Sequence, residues 1–244
     1  MKCKICVAMV LIITLSLLGG CGDSGGNGVS GGNATDSELK GFWSGSQGTG
    51  TASVIVLANG ETWMASMDSS NAITSFAHLQ TQISGASYSS GGTQYILQTG
   101  KTEAASVVGT FKNKATITGT ATAPSSVAAL NLTYNPRYET TVRVADAVGS
   151  WTGTFGGASS SRTIIVAETG KLTGTSTTGC SYSGTLLPRS SDPAVFDVTY
   201  TETCVVGTPQ VLSGIATVNE AKTALFITAI TSDKTGGAIF IGAK

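Results

Sequence analysis

The cysteines and the histidine of this chain are the first residues to consider for chemistry. The sequence holds five cysteines, at positions 3, 6, 21, 180 and 204, and one histidine, His78. A Ser-His-Asp triad would have to use His78, but the sequence lacks the Gly-x-Ser-x-Gly elbow that presents a serine nucleophile. Histidine, cysteine and carboxylate residues also lack the spacing of metal ligands. We therefore predict that the protein is not an enzyme and has no catalytic, cofactor-binding or metal-binding residues.

The first twenty residues have the organisation of an export signal. Lys2 and Lys4 give a short positive start, and residues 7–18 form an almost unbroken apolar run. As a helix, this run would span about 18 Å, well short of the roughly 30 Å hydrocarbon core of a bilayer. Residues 1–20 are thus predicted to be a signal peptide rather than a transmembrane helix. Cys3 and Cys6 would be removed with it, so their spacing has no meaning for the mature protein.

The motif Leu-Gly-Gly-Cys at residues 18–21 resembles the lipobox of bacterial lipoproteins. The resemblance implies a diacylglyceryl thioether on Cys21, cleavage after Gly20 and N-acylation of the new terminus. Several acyl chains make such an attachment to the membrane stable. An ordinary secretory signal with a chance cysteine is the alternative. Gly22 stands where an Asp marks inner-membrane retention in many enteric lipoproteins, so the resemblance implies the outer membrane, with the leaflet left open.

A segment rich in glycine, serine and asparagine follows the lipobox. Residues 22–35 read GDSGGNGVSGGNAT, with no aromatic residue and one valine. Such a segment cannot bury enough apolar surface to offset the entropy of ordering. We predict that residues 21–36 form the lipidated cysteine and a flexible linker.

Cys180 and Cys204 remain in a compartment where disulfides persist. Cys180 opens one apolar-rich segment, Cys204 closes the next, and a turn-like stretch at residues 188–193 lies near their midpoint. An antiparallel hairpin would place the two cysteines roughly opposite each other, which makes a disulfide geometrically plausible. Two free thiols or a metal pair are the alternatives, and a single histidine in the chain argues against the metal.

The charge balance disfavours a nucleic-acid partner. The 14 basic residues include Lys2 and Lys4, so 12 remain in the mature chain against 14 acidic residues, a net charge of −2. No basic run occurs in the sequence, and a nucleic-acid binder needs one. The expected partners are the membrane, through the lipid, and an unknown envelope or surface protein. The oligomeric state stays open.

An internal repeat divides the mature chain. The pattern Gly-x-Trp-x-Gly occurs at residues 41–45 and again at residues 149–153. In each half an aliphatic strand and a glycine-containing turn follow it. We predict two homologous domains, at residues 37–138 and 139–244.

Both halves have the pattern of β-strands. Residues 130–135 and 196–201 alternate apolar and polar side chains, as half-buried strands do. Asn59-Gly60 predicts a tight hairpin turn with both residues at positive φ. All five prolines are expected to lie between strands. The second half contains eight strand candidates, near 150–155, 161–167, 171–176, 179–187, 194–203, 210–217, 222–230 and 236–242.

The two motifs resemble the Gly-x-Trp on the first barrel strand of calycins, in their lipocalin branch. Gly41 and Trp43, and likewise Gly149 and Trp151, match those positions. Eight sequential strand candidates with short connections predict an all-β fold of two tandem small antiparallel up-and-down barrels, each of about eight short strands, and the resemblance implies barrels as well. Lipocalin chains are substantially longer, so side chains should fill these interiors. The partner arginine of lipocalins is missing late in the second half.

The body also resembles uncharacterised proteobacterial lipoproteins with two tandem Gly/Thr-rich β-domains. A Thr-Tyr-Asn strand at residues 133–135 and the tail at residues 240–244 carry this resemblance, which implies no known activity. We expect the three tryptophans, Trp43, Trp63 and Trp151, to pack in cores rather than to stack on a ligand.

Three functions are compatible with these patterns. The first is a noncatalytic envelope lipoprotein that acts as a structural or protein-interaction module. The second is a carrier of a small ligand or glycan that uses a barrel mouth or the cleft between domains. The third is a hydrolase with an unrecognised site. A filled barrel interior would argue against carriage, whereas an apolar cavity of about 300 Å³ or more would favour it.

Overall fold

The computed structural model describes residues 38–156 and 160–244. The signal peptide, Cys21 and the linker predicted over residues 21–36 lie outside the described residues. Within the described part, no helix is both long enough and apolar enough to cross a bilayer.

The first eight strands form a closed antiparallel barrel. Its strands are β1 Gly41–Gln47, β2 Gly50–Val56, β3 Glu61–Met67, β4 Ile73–Ser84, β5 Ser87–Ile96, β6 Lys101–Lys112, β7 Thr116–Ala123 and β8 Ser126–Asn135. Each strand pairs with the next one in sequence, and β1 pairs with β8 through Trp43 and Tyr134 to close the ring. Closure leaves no strand edge exposed to other chains.

A short connector follows β8. It contains a 3-10 helix at Pro136–Glu139 and one helical turn, α1, at Val144–Ala147. The side chain of Asn135 accepts a hydrogen bond from the Arg137 amide and thereby caps the 3-10 helix.

Eight further strands form the second closed barrel. They are β9 Gly149–Phe155, β10 Ser161–Val166, β11 Lys171–Ser176, β12 Ser181–Pro188, β13 Phe196–Thr203, β14 Gln210–Val218, β15 Ala224–Thr231 and β16 Gly237–Ala243. The predicted fold class is confirmed, and each of the eight strands predicted here lies within two residues of its observed bounds. The strands of the two barrels fall within residues 37–138 and 139–244.

Side chains fill both barrel interiors. The first barrel encloses two spaces of about 20 Å³ each, and the second encloses one of about 10 Å³. A single water needs about 10–15 Å³ on this measure, so none of these spaces holds more than a water or two. The alternating strands explain the filling, because Leu130, Leu132, Val198 and Tyr200 all point inward and are buried.

The Gly-x-Trp-x-Gly motif makes the same contacts in both barrels. Trp43 Nε1 donates a hydrogen bond to the Leu39 carbonyl at 2.9 Å, and Trp151 Nε1 donates to the Ala147 carbonyl at 2.8 Å. Both rings are buried. A Cβ atom at Gly153 would lie 1.8 Å from the Ile241 carbonyl oxygen, so only glycine lets the first and last strands meet there.

Two details differ from the predictions. Asn59 is not at positive φ; the Gly60 amide bonds to the Leu57 carbonyl, and only Gly60 takes positive φ, at 80°. The turn is thus a longer one, closed by a single left-handed glycine. Pro188 is the last residue of β12 instead of lying between strands. It is tolerated there because the ladder ends at this residue, where a missing N–H costs little.

The disulfide pairs the ends of two neighbouring strands. Cys180 precedes β12, Cys204 follows β13, and their Sγ atoms lie 2.00 Å apart, at bonding distance. Ser181 and Thr203, one residue inside each cysteine, pair across the two strands.

Replacing both Cys180 and Cys204 by alanine should lower the free energy of unfolding by about 3 kcal/mol, because the unfolded chain loses a closed loop of roughly 25 residues. Urea unfolding followed by circular dichroism measures this loss. Reduction of the unaltered protein serves as the control and should give a similar loss. An unchanged unfolding midpoint in the double variant would show that the bridge does not form.

Candidate functional site

Two spaces in the described part of the chain lie between the barrels. An apolar compartment of about 210 Å³ and a polar compartment of about 440 Å³ are each lined by residues from both barrels. Trp63 lines both compartments and forms the wall that they share. Together they form what we call the interbarrel cleft.

Outward-facing apolar side chains build the apolar compartment. Its main walls are Phe42, Ile55, Trp63, Phe76, Ile215 and Ile239. The first three are adjacent across β1, β2 and β3, so they form one row on the outside of the first barrel. An outer barrel face is ordinarily polar, and here it is apolar because the second barrel covers it.

The sequence contains a signal for the cleft residues that its motifs do not reveal. Successive residues of a strand point to opposite faces. The pairs Phe42-Trp43 and Trp63-Met64 therefore require burial on both faces of the first barrel. Ile239-Phe240 requires the same of the second barrel.

The polar compartment contains the histidine. His78 lies against Trp63, with ring centroids 4.5 Å apart, and its Nε2 lies 3.2 Å from Glu61 Oε1. Trp63 Nε1 donates a hydrogen bond to the same oxygen at 3.0 Å. His78 is thus held between an aromatic ring and a carboxylate of the first barrel.

A cation from the second barrel completes the cluster. Arg189 Nη1 lies 3.6 Å from Glu61 Oε2, and Arg189 Nε donates to Asp197 Oδ1 at 2.6 Å. Burial works to raise the pKa of Glu61, but the hydrogen bond with His78 and the charge of Arg189 outweigh it and lower the pKa. Glu61 is therefore anionic at neutral pH and faces a paired Arg189 across the cleft.

Asp192 ties the two barrels together. Its side chain is 0% exposed. Oδ1 accepts hydrogen bonds from the Ala58 amide at 2.8 Å and from the Tyr138 hydroxyl at 2.5 Å. Oδ2 accepts one from Ser191 Oγ at 2.6 Å and lies 4.0 Å from Arg189 Nη1. Burial and the hydrogen bond to Asp192 raise the pKa of Tyr138, so its hydroxyl stays protonated and donates.

This arrangement can bind and orient a ligand, and it offers little for nucleophilic chemistry. His78 Nε2 is occupied by Glu61, and the hydroxyl of Ser213, which lines the same compartment, pairs with Thr199. In the described ranges, the one group of three possible metal ligands is Cys180, Glu202 and Cys204. Its two sulfur atoms lie at disulfide distance, so they are not thiolate ligands.

The residues predicted from the sequence lie apart from most of this site. Cys21 is outside the described residues, and Cys180 and Cys204 do not line either compartment. Trp43 packs inside the first barrel and only borders the apolar compartment, and Trp151 packs inside the second barrel.

Different side chains contact the motif tryptophan in the two barrels. Lys244 Nζ lies 4.4 Å from the centroid of the Trp151 ring, a cation–π contact. In the first barrel the ring of Tyr134 meets Trp43 edge-on at 5.1 Å. The end of each barrel is therefore closed over its tryptophan by a different side chain.

Asp192→Ala should lower the free energy of unfolding by about 3 kcal/mol or more, because the Ala58 amide and the Tyr138 hydroxyl lose their acceptor. Asp192→Asn keeps one acceptor oxygen and should cost less. Urea unfolding measures the free energy of unfolding of both variants.

The exposed Glu168→Ala is the matched control for Asp192 and should change the stability by no more than about 0.5 kcal/mol. Tyr138→Phe, combined with Asp192→Ala, should show non-additive losses. Full additivity of the two losses would contradict the proposed coupling.

Comparison with solved structures finds a protein of unknown function from the DUF3598 family of Nostoc punctiforme PCC 73102. The two chains are 11% identical, the alignment covers 84% of this chain and 95% of that chain, and the TM-score is 0.25. A TM-score this low carries no argument about fold or function. No family model and no curated protein matches the chain.

Proposed function

We propose that this protein is a noncatalytic, lipid-anchored envelope protein that binds a small ligand in the interbarrel cleft. The observation that carries the proposal is the position of the free space. The barrels enclose spaces of about 10–20 Å³, whereas the cleft offers compartments of about 210 and 440 Å³.

The filled interiors disfavour carriage inside a barrel. Trp43 and Trp151 each occupy a barrel core and are almost fully buried. Of the two carrier sites considered from the sequence, the barrel mouth thus loses support and the cleft between domains gains it. The apolar compartment, at about 210 Å³, is below the roughly 300 Å³ that would favour carriage of a drug-sized molecule, so the proposal is restricted to a small ligand.

Contacts between the two barrels keep the cleft in shape, which favours ligand binding. Aromatic and aliphatic side chains from both barrels form one buried cluster beside it, including Phe42, Trp63, Tyr138, Val195 and Ile230. Asp192 adds hydrogen bonds from both sides. A site that is formed before the ligand arrives loses little entropy on binding.

The lipid anchor comes from the lipobox resemblance. With Cys21 acylated and a linker after it, the two barrels would stand near the surface of the outer membrane. A ligand of the envelope or the periplasm then fits this location better than a cytoplasmic metabolite.

Protein contact is a second candidate function, and one loop favours it. Val205 and Val206 are 83% and 86% exposed and follow directly after Cys204. The disulfide fixes the base of this loop. A fixed apolar tip of this kind suits contact with another envelope protein.

Fluorobenzene tests the cleft directly, because it is neutral and close in size to benzene, which fits an apolar cavity of about 150 Å³. We expect saturable binding, seen by fluorine NMR. Ser53 is exposed and lines the apolar compartment, so Ser53→Phe should place a ring in its opening and weaken binding at least tenfold.

Ser89→Phe is the matched control for the cleft test, since Ser89 is an exposed strand serine that does not line the cleft. It should bind fluorobenzene as the unaltered protein does. Circular dichroism confirms that both variants fold. Equal binding by the two variants, or no binding by the unaltered protein, would refute the cleft as a ligand site.

Cys21→Ser tests the anchor. In the native bacterium the variant should lose incorporation of labelled palmitate and accumulate as unprocessed precursor, because the thiol that receives the lipid is gone. Cys3→Ser is the control and should be processed normally. Palmitate labelling that persists in Cys21→Ser would contradict the lipobox interpretation.

A further inference from the structure

Arg137 lies between the barrels at one end of the apolar compartment. Its guanidinium carbon lies 4.7 Å from the centroid of the Phe42 ring, which belongs to the first barrel. Its Nη1 donates a hydrogen bond to the carbonyl of Val218, which belongs to the second. The capped 3-10 helix Pro136–Glu139 holds the residue there. A cation is thus fixed at the edge of a mostly apolar cavity.

The charge of Arg137 has no salt-bridge partner. In the described part of the chain its guanidinium pairs with no carboxylate, and Glu220 influences it only from beyond contact distance. A guanidinium has five N–H donors, and one of these is used by Val218. Arg189, in the polar compartment, is by contrast surrounded by Glu61, Asp192 and Asp197. Of these two arginines, Arg137 is therefore the one available to an anion.

Strand register gives the length of the compartment. Val218 pairs with Leu225, and Ile215 pairs with Thr228 three residues further along the same two strands. Both Ile215 and Thr228 line the compartment. Three residues of a strand span about 10 Å. The compartment thus extends about 10 Å away from the carbonyl that Arg137 contacts.

The volume limits the size of the ligand. An apolar cavity of about 150 Å³ accommodates the six carbons of benzene. By proportion, about 210 Å³ has room for a body of about eight or nine carbon atoms. The walls include the rings of Phe42, Trp63 and Phe76, which pack well against an aromatic body.

We propose that the apolar compartment binds a small arylalkanoic acid, with its carboxylate against Arg137 and its ring between Trp63 and Phe76. The proposal rests on the proposed function of the cleft and specifies the chemistry of its ligand. An arginine guanidinium suits a carboxylate because its planar donors match the two oxygens.

The test compares 3-phenylpropanoate with 3-phenylpropan-1-ol, two ligands that differ in the acid group alone. By titration calorimetry at low salt, the acid should bind at least tenfold more tightly than the alcohol. Added sodium chloride should weaken binding of the acid and leave that of the alcohol unchanged.

Arg137→Met keeps an apolar stem and removes the charge. It should weaken binding of the acid at least tenfold while binding of the alcohol and of fluorobenzene stays within twofold. Arg137→Lys keeps a charge and should retain part of the preference for the acid. Arg143→Met is the matched control, because Arg143 is exposed and does not line the cleft, and it should bind as the unaltered protein does.

Two results would overturn this proposal alone. One is fluorobenzene binding with equal affinity for the acid and the alcohol. The other is an acid preference that survives in a folded Arg137→Met. If fluorobenzene, the acid and the alcohol all fail to bind, both the cleft function and this ligand assignment fall. If Arg137→Met does not fold, the effect of sodium chloride on binding to the unaltered protein is the test. An affinity for the acid that does not fall with added salt would then overturn the proposal.

Discussion

The carboxylate of Asp192 is removed from solvent and receives hydrogen bonds from three separate segments. Ala58 belongs to a turn of the first barrel, Tyr138 to the connector and Ser191 to the loop of Asp192 itself. Burying a carboxylate is expensive unless both oxygens are paired, so these three segments have to meet at one place. The turn after β2 and the loop after β12 are thereby held in contact. Sequence neighbours of these residues line the cleft: Glu61 and Arg189 the polar compartment, and Arg137 the apolar one.

Apolar contacts between the barrels contribute stabilising free energy, while the hydrogen bonds of Asp192 fix how the barrels are placed against each other. Phe42, Phe76, Tyr95 and Ile239 could pack in several similar ways, since apolar contacts have little direction. A buried carboxylate with three donors accepts one arrangement only. This division explains how two smooth barrels can meet and still leave a cleft of defined shape.

Sequence patterns predicted the strands and the two barrels well, but they predicted the cleft between the barrels poorly. Short apolar-rich segments between turn residues located all eight strands of the second barrel, since such patterns are local. The contact between Ala58 and Asp192 joins residues 134 positions apart, and no local pattern reports such a pair. The turn at Asn59 was misjudged because the Asn-Gly pair favours one turn type, whereas the hairpin here needs only the glycine at positive φ. Adjacent large apolar residues, such as Phe42 and Trp43, were the available clue to a second buried face.

The two barrels have the same strand order and similar turns, but they differ in the residues that face each other. The turns at Leu57–Gly60 and Ala167–Gly170 have the same hydrogen bonds, and Gly60 and Gly170 have the same positive φ. The next residue, however, is Glu61 in the first barrel and Lys171 in the second.

The links after β4 and β12 also differ. Two residues, Gly85 and Ala86, separate β4 from β5, whereas residues 189–195 separate β12 from β13. That longer link carries Arg189 and Asp192, and Arg137 lies in the connector between the two barrels. The repeated residues therefore build the two barrels, and the unrepeated ones build the cleft between them. The differences between the two barrels are therefore concentrated where the repeat breaks down, at the cleft.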